Sequence, residues 1–217
     1  VIARIVFIFM AAMLTSLAMA TEVKVLKWQQ LQPDNPALRK TITSMSQEQK
    51  SRLMRAIQQL ELKQQLEGNK VKPANLTAAD LALLKEDIKD LKPLIVEIES
   101  FEKKRVSEMI PSLQGQVIEL SGYLLPLNLK GKLVTEFLLV PVIGACIHVP
   151  APPPNQMVVV QYPAGFPQGD LFAPITVQGK VTLKSTKANL ALADGAADVE
   201  VGYQMLASEV RAYKATQ

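Results

Sequence analysis

A mainly β fold with an added helical segment is predicted by three features of the sequence. From Gln114 onward, β-branched and apolar residues gather in five runs punctuated by Gly, Pro and Asn. Ahead of them, from Ser44 to Met109, apolar residues recur at the spacing of helices. A single cysteine excludes an internal disulfide framework, so a chain of 217 residues, 48% hydrophobic and 20% charged, must be held together by packing.

The elements follow in order. Arg4 precedes the uncharged stretch Ile5 to Leu17 and the small-residue triplet Ala18-Met19-Ala20, the three-part order of a secretory signal. Its apolar stretch of about 13 residues fits a signal and falls short of the ~20 of a membrane helix. The expectation is a signal peptide over 1–20, cleaved between Ala20 and Thr21, and a periplasmic protein with no transmembrane segment after cleavage. Residues 21–42 form a short mixed segment marked by Trp28, Leu31 and Pro33.

Residues 43–110 read as a helical hairpin. Ser46-Gln47-Glu48-Gln49 is a capping box, Leu53, Met54, Ile57 and Leu60 follow at helical spacing, and Gly68-Asn69 is a stop. A second helix opens at Thr77-Ala78-Ala79-Asp80 and carries Leu81, Leu84, Ile88, Leu91, Ile95 and Ile98 as a narrow seam. That seam runs through Pro93, where a kink or restart is expected. The hairpin either buries its stripe within the protein or serves as a docking arm.

Residues 111–217 carry the strand runs Gln116 to Leu124, Leu133 to Val140, Gln156 to Tyr162, Ile175 to Leu183 and Ala197 to Tyr213. Gly122 and Gly179 interrupt two of them, as glycines do at the bulge or sharp coil by which a small sheet turns a barrel corner. Five strands of this length predict an OB-like barrel, with a small open sandwich as the alternative. The net charge of +4 is spread among acids and aromatics make up only 5%, which argues against nucleic acid as a partner.

The candidate chemistry lies between the second and third strands, in Gly144-Ala145-Cys146-Ile147-His148-Val149-Pro150-Ala151-Pro152-Pro153-Pro154-Asn155-Gln156. The only cysteine and the only histidine stand two apart, on one side of an extended backbone. Pro150, Pro152, Pro153 and Pro154 favour a stiff polyproline strap, and the Asn155 and Gln156 amides are placed to return hydrogen bonds to it. Three readings stay open. Cys146 and His148 are packing residues; or they bind zinc or copper(I), with Glu136, Asp170, Met157 or a second molecule completing the site; or His148 activates Cys146 as a nucleophile.

Glu136-Phe137-Leu138-Leu139-Val140-Pro141 running into that segment closely resembles the hallmark of an uncharacterised family of exported proteins in Gram-negative bacteria, a domain of unknown function. Ser121-Gly122-Tyr123-Leu124-Leu125-Pro126-Leu127 looks like the family's first strand, and Trp28-Gln29-Gln30-Leu31-Gln32-Pro33 is similar to its tryptophan motif. The long helical stretch between them departs from that pattern. The resemblance implies an envelope accessory role, since such proteins are often encoded beside an ABC transporter and a histidine-rich periplasmic protein linked to zinc supply. The leading expectation is therefore a non-catalytic binding or accessory protein, with ABC transporter components or a periplasmic protein as partner. The alternatives are a thiol-dependent enzyme or redox carrier using Cys146, and a structural Cys/His segment with partner binding through the helices.

Overall fold

The computed structural model describes residues 23–142, 151–167, 173–192 and 195–214. A short strand, β1 (Lys24–Leu26), and a 3-10 turn, Trp28–Leu31, lead into four helices: α1 (Pro36–Ser44), α2 (Gln47–Glu67), α3 (Ala78–Leu83) and α4 (Lys92–Ser107). Five strands follow: β2 (Val117–Lys130), β3 (Leu133–Val140), β4 (Val158–Pro167), β5 (Pro174–Leu192) and β6 (Gly195–Ala212). The signal-peptide residues Ala18, Ala20 and Thr21 lie outside the described residues.

The strands pair in the order β2-β3-β4-β6-β5, and β5 returns to β2, closing a five-stranded barrel. Every pairing in it is antiparallel except β4 with β6. The protein is thus mainly β, an OB-like barrel preceded by a helical segment, as the sequence predicts. β1 adds a parallel edge to β2 at Ile118–Leu120, beyond the point where β3 ends opposite Tyr123.

Inside the barrel, Ile118, Leu120, Phe137, Leu139, Val160, Val177, Tyr203 and Met205 form the main core. Leu31 and Leu113 belong to the same cluster, with Trp28 and Ile110 packed against it, so the segments flanking the helices help fill it. A second cluster lies on the other face of β3, where Leu138, Val140, Leu125, Met157 and Val159 meet Ala188 and Val201. Those last two residues come from the β5–β6 ribbon, which continues past the barrel after a register shift between Leu183 and Thr186. Consequently Phe137, Leu138, Leu139 and Val140 are all 0% exposed, a strand buried on both faces.

The ribbon extends both strands beyond their predicted ends, since residues 186–192 pair across the hairpin with residues that include 195 and 196. The internal glycines also divide. Gly179 sits at a register shift against β6, where an added Cβ would come 2.5 Å from the Leu206 carbonyl oxygen. Gly122 makes no bulge: its pairing with Ile175 is regular, and it is needed because Trp28 and Val140 lie on it, 3.0 and 2.5 Å from where a Cβ would be.

The helices bury their stripes mainly against one another. Leu53 and Ala56 of α2 pack with Ile88 and with Ile95 of α4 in a cluster separate from the barrel core. Ser46 and Gln49 form the expected capping box, and α2 ends at Glu67 before Gly68. α1 was not marked by apolar periodicity; it starts because Asn35 caps the Leu38 N–H and Pro36 opens its first turn. The predicted seam is discontinuous. The restart expected at Pro93 is present, with α4 beginning at Lys92 and Pro93 in its first turn, but α3 already stops at Leu83 and Leu81 is 48% exposed. The break is held by α2: the buried Gln59 Nε2 donates to the Leu83 and Glu86 carbonyls, and Arg52 donates to the Asp87 carbonyl.

Candidate functional site

Of the hallmark residues, Gly144, Cys146, His148 and Pro150 lie outside the described residues, as does Asp170. The rest of the segment is a polar junction rather than a free strap. Pro153 has the extended dihedrals of polyproline, φ −55 and ψ 152, but Pro154–Gln156 curls into a 3-10 turn, so the strap ends there. Pro152 is half-buried ahead of it. Pro154 lies against β6 at Gly202, where a Cβ would come 3.2 Å from the Pro154 carbonyl oxygen.

The two amides mostly point away from the strap. Asn155 is fully buried, and its Nδ2 donates to the carbonyls of Arg105 and Glu108, both at 2.8 Å. Those carbonyls belong to the last turn and cap of α4, where a helix has no partners of its own for them. Asn155 Oδ1 accepts a long bond from Gln32 Nε2 at 3.4 Å. Gln156 Nε2 donates to the Trp28 carbonyl at 2.8 Å and also to the neighbouring Asn155 carbonyl, the one bond returned to the segment among the described residues. In turn, the Trp28 indole N–H donates to the Ser121 carbonyl on β2 at 2.7 Å. The tryptophan motif, the end of α4 and the hallmark's tail are therefore one hydrogen-bonded unit.

Tyr203 completes this junction and carried no sequence signal beyond lying in a strand run. Its hydroxyl donates to the Leu31 carbonyl at 2.8 Å and accepts from the Ile110 N–H at 2.7 Å. Burial raises its phenol pKa, opposed by the Ile110 hydrogen bond, which favours the phenolate.

The proposed completing ligands are dispersed. Glu136 stands on β3 opposite Asn128 and Gln161, about 13 Å along the strand from Val140. Met157 is 1% exposed within the second apolar cluster. Among the described residues no group of three or more His, Cys, Asp or Glu side chains could hold a metal ion.

Beside the junction opens a cavity of about 440 Å³, between the Trp28–Leu31 turn, the entry to α1 and the end of α4. Gln29, Gln30, Gln32, Arg39, Phe101 and Arg105 are among its lining residues. A hollow of about 380 Å³ adjoins it along α4 and shares Phe101.

The model of one protein family, described as a protein of unknown function (DUF3299), matches residues 27–212. The chain belongs to the DUF3299 family. It is also similar to the crystal structure of a DUF3299 family protein from Pseudomonas aeruginosa PAO1, with 32% identity, 61% of this chain and 86% of that chain covered, and a TM-score of 0.44. No curated protein matches. Within this DUF3299 chain, no helix of the described residues is long and apolar enough to cross a membrane.

Proposed function

We propose that this DUF3299 protein is an exported, non-catalytic binding module of the cell envelope, whose segment around Cys146 and His148 meets its ligand. The ligand is zinc or copper(I), or a periplasmic or ABC-transporter partner. One observation supports the reading: the chain on either side of that segment is held rigidly. Before it, β3 ends at the fully buried Val140; after it, Asn155 and Gln156 are fixed by hydrogen bonds to Arg105, Glu108 and Trp28. A binding segment mounted on fixed ends loses less entropy when it engages a ligand. Thiolate and imidazole are the donors that soft, borderline metals prefer.

Native mass spectrometry of residues 21–217, offered zinc and then copper(I), with Cys146→Ser as control, tests it. One metal per chain, lost with the thiol, supports the metal form; half a metal per chain means that two chains share it. No metal from either source removes that form and leaves a partner protein. Envelope cross-linking from position 146 that captures nothing, together with no metal, would overturn the reading.

A further inference from the structure

The cavity beside the junction has a size typical of small-molecule sites. Its lining narrows the class of ligand. It sets the apolar surfaces of Pro33, Phe101 and Ile110 beside the side chains of Gln29, Gln30 and Gln32, more polar groups than the few that a mostly apolar site carries. A site for an anion presents positive charge seeking a partner, whereas both guanidinium groups are already paired, Arg39 with Asp34 at 3.0 Å and Arg105 with Glu102 at 2.7 Å.

What remains on offer is a set of primary amides. Each carries donors and acceptors in one plane. Gln30 engages its Oε1, with the Lys27 N–H, and Gln32 its Nε2, with Asn155. Gln29 has no side-chain partner among the described residues. The exposed Gln29 and Gln30 and the half-buried Gln32, each with hydrogen-bonding capacity left over, thus line the same space as the half-buried Phe101. Groups that both give and accept hydrogen bonds match hydroxyls, which do the same, and an aromatic face matches the C–H face of a ring that carries them.

We propose that this cavity binds a neutral saccharide, with Gln29, Gln30 and Gln32 bonding its hydroxyls and Phe101 packing against its ring. The walls are preformed. Asn155 fixes the end of α4, and Tyr203 ties Leu31 to Ile110. The inference is independent of any ligand at Cys146, because the lining comes from residues 29–39 and 101–110.

Saturation-transfer NMR on the purified protein tests it, using maltose, cellobiose and the N-acetylglucosamine dimer as probes and citrate as an anionic control. At least one saccharide is expected to receive saturation, with affinity reduced about tenfold by Gln29→Ala, the equivalent of about 1.4 kcal/mol. Phe101→Leu, chosen to keep the apolar volume and the fold, is expected to weaken binding likewise, and Cys146→Ser to leave it unchanged. Transfer to citrate alone, to no saccharide, or to a saccharide whose affinity ignores both cavity substitutions would overturn the proposal.

Discussion

Removing one oxygen from Tyr203 would strand two backbone groups, because its hydroxyl bonds both the Leu31 carbonyl and the Ile110 N–H. Tyr203→Phe should therefore destabilise the protein by about 2 to 3 kcal/mol, read from denaturant midpoints at unchanged slope. The same residue sets an alkaline limit. Its folded pKa is raised by burial, so its contribution is present below the unfolded value of about 10 and is lost as pH rises through the higher folded value. Stability of the wild type should fall above about pH 10, with the Tyr203 share of that fall absent in Tyr203→Phe. Asn155 shows what sequence can and cannot disclose at this scale. An asparagine beside a proline run announces a turn, but its partners Arg105 and Glu108 are 50 and 47 positions away. Trp28 and Gln156 stood out in the sequence as motif residues. Tyr203 did not, because an apolar strand position looks the same whether or not its polar tip is used.

The elements were most legible where a local rule acts alone. Ser46 and Gln49 cap α2, and Thr77 and Asp80 cap α3, through contacts only three positions apart. The α3 cap is also an acid-sensitive one. The Thr77 hydroxyl and N–H both donate to Asp80, lowering its pKa, so the cap's contribution is present above the unfolded value of about 4 and is lost as pH falls through the lower folded value. Asp80→Asn should flatten part of the acid limb of a stability-against-pH curve; an unchanged limb would show that the cap is idle. Legibility failed where a second element intervenes. The seam from Leu81 to Ile98 keeps its phase on paper, yet Gln59 and Arg52 of α2 take the carbonyls of Leu83, Glu86 and Asp87 and hold a break. The close packing at Gly122 was hidden for a similar reason, since what it makes room for is an indole from far away. Gly122→Ala should push Trp28 off β2, red-shift the emission of the chain's single tryptophan and cost about 1 to 3 kcal/mol.

Across the whole molecule, the helices and the barrel have separate apolar clusters, joined through the Asn155, Gln156 and Tyr203 junction. Regions with their own small cores open locally at lower free energy than the main one. In hydrogen exchange, amides of Leu53 to Leu60 and Leu94 to Ile98 should exchange faster than those of Phe137 to Val140, and equal protection would mean a single cooperative unit. The barrel itself was readable because five strands with even punctuation leave few other closures. The ribbon was not, because nothing in residues 184–196 marks where a strand leaves the barrel to cover the outer face of β3. The bond from Tyr203 to Leu31 spans 172 positions and governs timing as well as strength. Synthesis runs from N- to C-terminus, so Leu31 waits for its partner until Tyr203 has been made, and a segment made early is among the last to find its place.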